Sequence, residues 1–530
     1  MSRKTLKIKP LTLLIIAFVE GAAVMAAELL SAKMLAPFFG TTIYAWAAVL
    51  AITLLALATG YYTGGFLTTR FNPVKILIYI LLASGFLLLL MPAFSTFVMK
   101  ALVNVNLIPG LIISLMLFVF PPVLFFGMVS PVIIHTLVHH VDQAGSTAGR
   151  VYAISTLGGV LNTLLLGFYI MPQFGIRGPA MVYGILILLM PLLLIRRPAR
   201  PLPVILVAIS AFLIFGFQVG KGKDESQRFK ILYASEGILG QVKVVDIHGL
   251  VLNGKPMEPR GLIVNNTWQT LYNRTDQQNL LDYIYFIKPI LSEFELPGKN
   301  SLLVGLGGGM LAREMQKTGM HVEAVEIDGR LKGIARRYFG LDPEIDVIID
   351  DGRHFLNQTP KQYSLVVMDA FLGENAPWHL LTRECFATVH SKLEKDGLLI
   401  IEFFGHIRGD MGRPARSVLA TLEDAGFRVQ IIGTRKDDAP DRNLIFIASK
   451  GEFPLTNLRY EELPYAFEPI TDLNDYLITV SENEMKDALV MKDNLPSLEL
   501  MLGKPSLKWR NDLNAVLRNV LLEDEFPIFY

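Results

Sequence analysis

The apolar residues of this chain are crowded into one half. Nearly all the long hydrophobic runs lie between residues 11 and 219, and charges become frequent only from Lys221 onward. A helix needs about 20 mostly apolar residues to cross a bilayer. Seven stretches qualify, near 11–35, 43–67, 74–96, 107–134, 151–172, 178–195 and 202–219. Arg3, Lys4, Lys7 and Lys9 precede the first, as in a secretory leader, but the run outlasts a leader's apolar segment and others follow it. It reads as a first membrane helix. With 530 residues the chain also exceeds one domain. The expected divisions are a multi-pass transmembrane domain at 1–220, a small β-module with a linking helix at 221–295, an α/β domain at 296–450, and a helical tail at 451–530.

Lys and Arg favour the cytoplasmic ends of spans. Their distribution places the N-terminus inside: four precede the first span, Arg70 and Lys75 follow the second, Arg150 the fourth, and Arg196, Arg197 and Arg200 the sixth. Ala56, Gly60 and Gly64 recur at the spacing that lets helices approach closely. Glu20 and Glu28 are carboxylates within the first span, where an ionisable group points to a polar cavity or ion path unless it is paired, and Lys33 is the candidate partner for Glu28. His135 and His139 are four apart, but no nearby thiol or carboxylate completes a zinc set. The single cysteine, Cys385, leaves no intramolecular disulfide and no cysteine-cluster site, so no metal is expected. A net charge of +1 offers no field for nucleic acid.

Beyond residue 228 the pattern shortens. Gln241–Ile247, Leu250–Leu252 with Asn253-Gly254, and Gly261–Asn265 read as strands and hairpins of a small β-module. A helix is predicted over 276–294. Then apolar runs alternate with helical stretches: Ser301–Gly305, His321–Ile327, Ile345–Ile349, Tyr363–Met368 and Leu398–Phe403. Runs apolar on both faces are parallel strands of a doubly wound sheet. A closing pair, Arg428–Ile432 and Leu444–Ala448, suggests the methyltransferase variant of that sheet.

The chemistry gathers at the strand ends, where ligands bind in open α/β sheets. The first ends in Gly305-Leu306-Gly307-Gly308-Gly309, a turn that lets backbone pass close to a ligand at a helix N-terminus. The second ends at Glu326 and Asp328, the place of an acid that hydrogen-bonds ribose hydroxyls. The third ends in Asp350-Asp351-Gly352, where an acid can accept from an adenine amino group, and the fourth ends at Asp369. As a set, these residues point to an adenosine-bearing ligand, which makes 296–450 the expected Rossmann-like nucleotide-binding catalytic domain.

These stretches resemble the spermidine synthases, the polyamine aminopropyltransferases. The resemblance lies in Leu302–Met315 (LLVGLGGGMLAREM), Val325–Asp328 (VEID), Asp350–Gly352 (DDG), Asp369, Leu380–Phe386 (LLTRECF) and Gly261–Gln269 (GLIVNNTWQ). Glu28–Arg70 and Arg150–Met171 are similar to the bacterial membrane-fused members of that group. The resemblance implies transfer of an aminopropyl group from decarboxylated S-adenosylmethionine to an amine such as putrescine, giving 5′-methylthioadenosine and spermidine. The nucleotide is then a co-substrate and not a tightly bound cofactor. The resemblance also implies that Asp369 is the proton acceptor and that Gln269, Gly305, Gly307, Glu326, Asp351 and Gly352 hold the nucleotide. A homodimer is left open.

The chain departs from the family where the donor's cationic end and the polyamine bind. Gly308 and Leu372 stand where the family has aspartates, and Leu281 and Asp282 where it has a tyrosine-histidine pair. Asp282 and Glu374 are the acids available to compensate. Without an acid at 308 the intact, carboxylate-bearing S-adenosylmethionine is not repelled, so methyl transfer is the main alternative. A third reading is a non-catalytic nucleotide or polyamine sensor on a transporter-like membrane domain. The expected location is the cell (inner) membrane. Seven spans from an inside start would put the soluble domain outside, away from a cytosolic nucleotide. The chemistry favours the cytosolic side, and Pro121-Pro122 marks where a segment could fail to cross.

Overall fold

The structure is a computed structural model that describes residues 8–40, 43–102, 105–138, 140–194, 228–237, 239–252, 254–293, 299–370, 376–436, 442–451, 472–495 and 497–522. The chain divides into two compact units, one of Met1–Ser226, Ala234–Val242 and Leu513–Tyr530, the other of Gln227–Tyr233 and Lys243–Asp512.

The first unit is helical. Its elements are α1 (Pro10–Phe39), α2 (Ile43–Arg70), α3 (Pro73–Ala101), α4 (Leu107–Phe118), α5 (Phe120–Leu137) and α6 (Ala144–Leu165), followed by a helix at Arg177–Leu189. Five stretches are long and apolar enough to cross a membrane: α1, α2, α3, α5 and Val141–Phe174, which contains α6. Seven spans were expected. The stretch near 178–195 forms a shorter apolar helix, Arg177–Leu193, and the one near 202–219 lies outside the described residues. The single span expected at 107–134 is two helices. Pro121 and Pro122 lack the N–H groups that would bond back one turn, so the helix breaks at Val119. Val119 keeps right-handed helical angles (φ −98°, ψ −48°), which makes the break a kink and not a reversal.

Small residues set how closely these helices pack. A Cβ on Gly60 would lie 2.3 Å from the Leu124 carbonyl oxygen, and one on Gly64 2.7 Å from Met128 Cα. The predicted Ala56-Gly60-Gly64 stripe is thus the face of α2 that meets α5. A Cβ on Gly21 of α1 would come within 1.9 Å of the Ser155 carbonyl oxygen on α6. Dispersion between close backbones replaces the hydrophobic effect as the packing force where the surroundings are lipid.

The second unit begins with the small β-module: β1 (Phe229–Ser235), β2 (Val242–Ile247), β3 (Leu250–Leu252), β4 (Lys255–Met257), β5 (Pro259–Val264) and β6 (Thr267–Asn273). Its main sheet has the order β1-β2-β5-β6, and β3 with β4 makes the separate hairpin expected at Asn253-Gly254. The β5–β6 turn is Asn265-Asn266, both with positive φ (49° and 62°), a conformation asparagine tolerates well. Arg260 forks onto both oxygens of Asp246 (2.6 and 2.9 Å) and donates to the Tyr338 carbonyl (3.0 Å), fixing the module to the next layer. The helix predicted over 276–294 starts later, at Tyr283. The Asp276 carboxylate accepts from the Gln278 amide (3.1 Å) and the Asn273 side chain (3.0 Å), holding a turn that competes with helix.

The large sheet follows: β7 (Asn300–Val304), β8 (His321–Glu326), β9 (Asp346–Ile349), β10 (Tyr363–Met368), β11 (Leu393–Phe404), β12 (Arg428–Gly433) and β13 (Asn443–Ser449). Its order is β12-β13-β11-β10-β7-β8-β9, parallel except for β13, which runs antiparallel to β11 and β12. This is the predicted doubly wound sheet with its closing pair. Apolar layers cover both faces. Phe286, Ile287 and Ile290 pack with Leu303 and Val367 on one side, Phe386 and Val389 with Leu302 and Val366 on the other. The segment 451–530 was expected as a separate tail, but its described part up to residue 512 belongs to this unit. Leu473 and Tyr476 enter one layer, and Met491, Leu498 and Leu502 the other, because their apolar side chains complete those layers.

The glycine contacts give a direct test. Gly60→Ala should lower the unfolding temperature of the detergent-solubilised chain by the equivalent of ~1–3 kcal/mol, the usual cost of overpacking. Gly65→Ala, where a Cβ would meet nothing within 4 Å, should leave it unchanged or slightly raised. Equal effects would show that α2 and α5 do not meet at Gly60.

Candidate active site

Parallel register brings four strand ends to one edge of the large sheet. The Gly305 amide donates to the Val325 carbonyl (2.9 Å), Asp369 to Val304 (2.9 Å) and Asp350 to Glu326 (3.2 Å). A cleft of about 1040 Å³, its open mouth included, lies over these ends. Its lining includes Gln269, Gly305, Gly307, Glu326, Asp351, Gly352 and Asp369, so the structure brings together most of the residues the sequence singled out.

Gly305 and Gly307 have positive φ (94° and 53°), which turns the chain sharply between β7 and the helix Met310–Lys317. A Cβ on Gly305 would lie 2.0 Å from the Asp369 carbonyl oxygen, so only glycine fits. The Gly308 amide donates to the Thr270 hydroxyl (2.9 Å), which ties the turn to β6 beside Gln269. A Cβ on Gly352 would collide with Val304 at 2.4 Å, so this glycine too is set by close packing.

The two acids nearest the turn are held by hydrogen bonds. Glu326 accepts from the amides of Leu306 (2.9 Å) and Asp328 (2.8 Å). Burial still holds its carboxyl above the ordinary range, these bonds and that of Gly307 opposing, the Asp328 charge adding to it. Asp328 is drawn aside by Arg330 (2.6 Å). Asp351 caps the helix Gly352–Gln358, accepting from the Arg353 and His354 amides (3.0 Å each), and meets His379 Nε2 at 2.8 Å. Burial pushes its carboxyl up, but the His354 amide, the His379 ring and the Arg353 amide together leave it below its usual value.

The far end of the cleft differs. Asp369 accepts from the Tyr283 hydroxyl (2.8 Å), and burial raises its carboxyl to about 6 against that bond. Glu402, on β11, is 5% exposed and has no hydrogen bond or ion pair among the described residues. Burial, then the charges of Asp369 and Asp282, hold its carboxyl well above the ordinary range. Tyr283 is pushed up in the same way, by burial first and Asp369 second. Asp282 is exposed, and its charge adds to the shifts of Tyr283 and Glu402. Glu374 and Leu372 lie outside the described residues.

Thr270, Tyr283, His379 and Glu402 were not foreseen. Glu402 left a legible signal, a carboxylate inside the otherwise apolar run Leu398–Phe403. Tyr283 left none, because the helix it opens was expected to begin earlier. Chemically, one end offers backbone turns and oriented acids to a polar ligand. The other offers a proton acceptor near neutrality beside a second, uncompensated carboxylate.

Known proteins share part of this arrangement. Residues 291–404 match the spermine/spermidine synthase domain. An N-terminal histidine N-methyltransferase of Emericella nidulans is 35% identical over 115 residues, 21% of this chain and 21% of that protein. A polyamine aminopropyltransferase of Vibrio vulnificus is 29% identical over 138 residues, 24% of this chain and 46% of that protein. The chain thus spans less than half the length of either relative. The structure of a spermidine synthase from Thermotoga maritima aligns with a TM-score of 0.34 at 17% identity, covering 43% of this chain and 75% of that one. The matched residues 291–404 carry the glycine turn, Glu326, Asp351, Asp369 and Glu402, so most of the site lies in the part of the chain that is similar to the spermine/spermidine synthase domain.

Proposed function

We propose that the chain is a membrane-attached aminopropyltransferase. It moves an aminopropyl group from decarboxylated S-adenosylmethionine to an amine such as putrescine, giving 5′-methylthioadenosine and spermidine. The observation that carries this reading is Asp369, buried at the end of a cleft whose other end suits an adenosine, with the buried Glu402 carboxylate near enough to interact with it by charge. Two buried carboxylates without a cation repel each other and lose their hydration. An ammonium group at Asp369 relieves both costs.

In this reading Gln269, Gly305, Gly307, Glu326, Asp351 and Gly352 hold the nucleotide. Asp369 takes the proton. Amines of this type are mostly protonated near neutrality, since an alkylammonium such as lysine has a pKa of about 10.4. Removing one proton exposes the nitrogen lone pair, which attacks the carbon beside the sulfonium. The carbon–sulfur bond breaks, its electron pair stays on sulfur, and neutral 5′-methylthioadenosine leaves. Tyr283 orients Asp369, while Glu402 and Asp282 supply the negative potential that keeps the amine in place. Glu374 is the further acid proposed for the amine.

Methyl transfer from intact S-adenosylmethionine is the second reading, favoured by Gly308. A Cβ there would lie 2.8 Å from the Thr270 side chain, so this turn has little room for the acid expected to hold the donor's cationic end. One relative is named as an N-methyltransferase. Membrane attachment is supported by the five apolar helices and by the exposed Leu54, Leu55, Tyr62 and Phe66 of α2. The cell inner membrane, with the soluble domain facing the cytosol where the nucleotide is made, is the location proposed.

Asp369→Asn should reduce turnover by about 10²–10⁴-fold, the range for loss of a general base, with 5′-methylthioadenosine binding retained. Because the active form is the carboxylate, wild-type turnover should rise with pH through about 6 and fall below it. A flat profile there, or unchanged turnover in the variant, removes Asp369 from the reaction. Glu402→Gln should raise KM for the amine by about 10-fold with a smaller change in kcat, as expected for removing a nearby negative charge that attracts the ammonium. Calorimetry of the full chain with both nucleotides separates the two readings. Preference for the decarboxylated form supports aminopropyl transfer, and preference for the intact form supports methyl transfer.

A further inference from the structure

The cleft leaves Glu20 without a role, and Glu20 lies in the helical unit. It sits on α1, 3% exposed, within a segment apolar enough to cross a bilayer. Its Oε2 accepts from the Ser155 hydroxyl at 3.0 Å. No other hydrogen bond and no ion pair reaches its carboxylate from the described residues. One neutral bond does not compensate a buried carboxylate, and an ionisable group within a membrane segment signals a ligand or a conduction path by default.

A cavity of about 850 Å³, open mouth included, adjoins this side chain between α1, α2 and α6. Its walls are of three kinds. Ser155, Thr156 and Thr163 bring hydroxyl side chains, Val24 and Leu57 are aliphatic, and Tyr61 presents an aromatic ring. The edge-on contact of Tyr61 with Tyr152 (centroids 6.2 Å apart, planes at 81°) braces that ring. The site is built by the fold. Gly21 brings α1 so close to α6 that Ser155 reaches Glu20, and Gly159 faces Met25, where a Cβ would meet it at 2.8 Å.

We propose that this cavity binds a primary alkylammonium ion. The Glu20 carboxylate balances the charge, hydroxyl oxygens accept the remaining N–H bonds, the Tyr61 face attracts the cation and the aliphatic wall takes the hydrocarbon part. A bare metal cation would not use the aliphatic wall, and a neutral alcohol would not need the carboxylate. The site is separate from the strand-end cleft, and its existence does not depend on the reaction proposed there.

The test uses the full chain in phosphatidylcholine nanodiscs, titrated with hexylammonium chloride and, separately, hexanol, with empty nanodiscs subtracted. Hexylammonium should bind the wild type, and the binding assigned to this cavity should persist in Asp369→Asn. It should bind about tenfold more weakly, or not at all, to Glu20→Gln, the expected consequence of losing a charge-assisted bond. Glu20→Asp should restore part of the affinity. Tyr61→Leu, at a residue 40% exposed and therefore tolerant, should weaken binding several-fold and serves if Glu20→Gln fails to fold. Equal binding to wild type and Glu20→Gln would overturn the proposal. So would hexanol binding as tightly as hexylammonium, or binding lost in Asp369→Asn and kept in Glu20→Gln.

Discussion

The site depends on one backbone contact, the approach of Gly305 to Asp369. Parallel pairing of β7 with β10 sets these residues side by side, and the missing Cβ lets the turn after β7 fold over the end of β10. That contact places the glycine turn directly against the residue proposed for proton transfer. Thr270 holds the same turn from the opposite side through the Gly308 amide. The small β-module is therefore part of the site's wall and not an accessory domain. A glycine with φ of 94° is compatible with this geometry, and a residue with a side chain is strained there whatever the space.

The two ends of the cleft are opposite electrostatic solutions to the burial of acids. At the end proposed for the nucleotide, Glu326 and Asp351 are turned by backbone amides and by His379, so their oxygens are fixed before a ligand arrives. Preorganised groups of this kind cost little ordering free energy on binding. At the other end, Asp369 has a single tyrosine donor and Glu402 has none among the described residues. Burial without partners raises a carboxyl and makes it crave a cation or a proton. A proton acceptor and a cation site are the same physical object seen at two stages of an amine's reaction. Such perturbed groups cluster at functional sites because structure alone gives no reason to keep them.

The sequence made the large sheet legible because its strands are apolar on both faces and end in glycine or acid. The residues Gly305, Glu326, Asp351 and Asp369 needed only their strand-end positions to be grouped. The closing β12–β13 pair and the Ala56-Gly60-Gly64 stripe were legible for the same reason, a short repeat with one physical meaning. What escaped notice depended on long-range geometry. Tyr283 reaches Asp369 only because Asp276 delays the helix, and a local side-chain bond of that sort is invisible to periodicity. Glu402 was hidden in an apolar run, where its meaning rests on which strand lies beside it. The kink at Val119 was marked by Pro121-Pro122, but its direction was set by the backbone angles at one residue. The tail was misjudged because its sparse apolar residues fill layers built by distant segments.

The central claim is that these strand ends surround a single adenosine. The most direct measurement is an experimental structure of the full chain with 5′-methylthioadenosine bound. The account predicts the adenosine in the cleft, its ribose hydroxyls beside Glu326, its base beside Asp351 and its sulfur pointing towards Asp369. Nucleotide bound elsewhere, or a cleft that stays empty at saturating ligand, would contradict it.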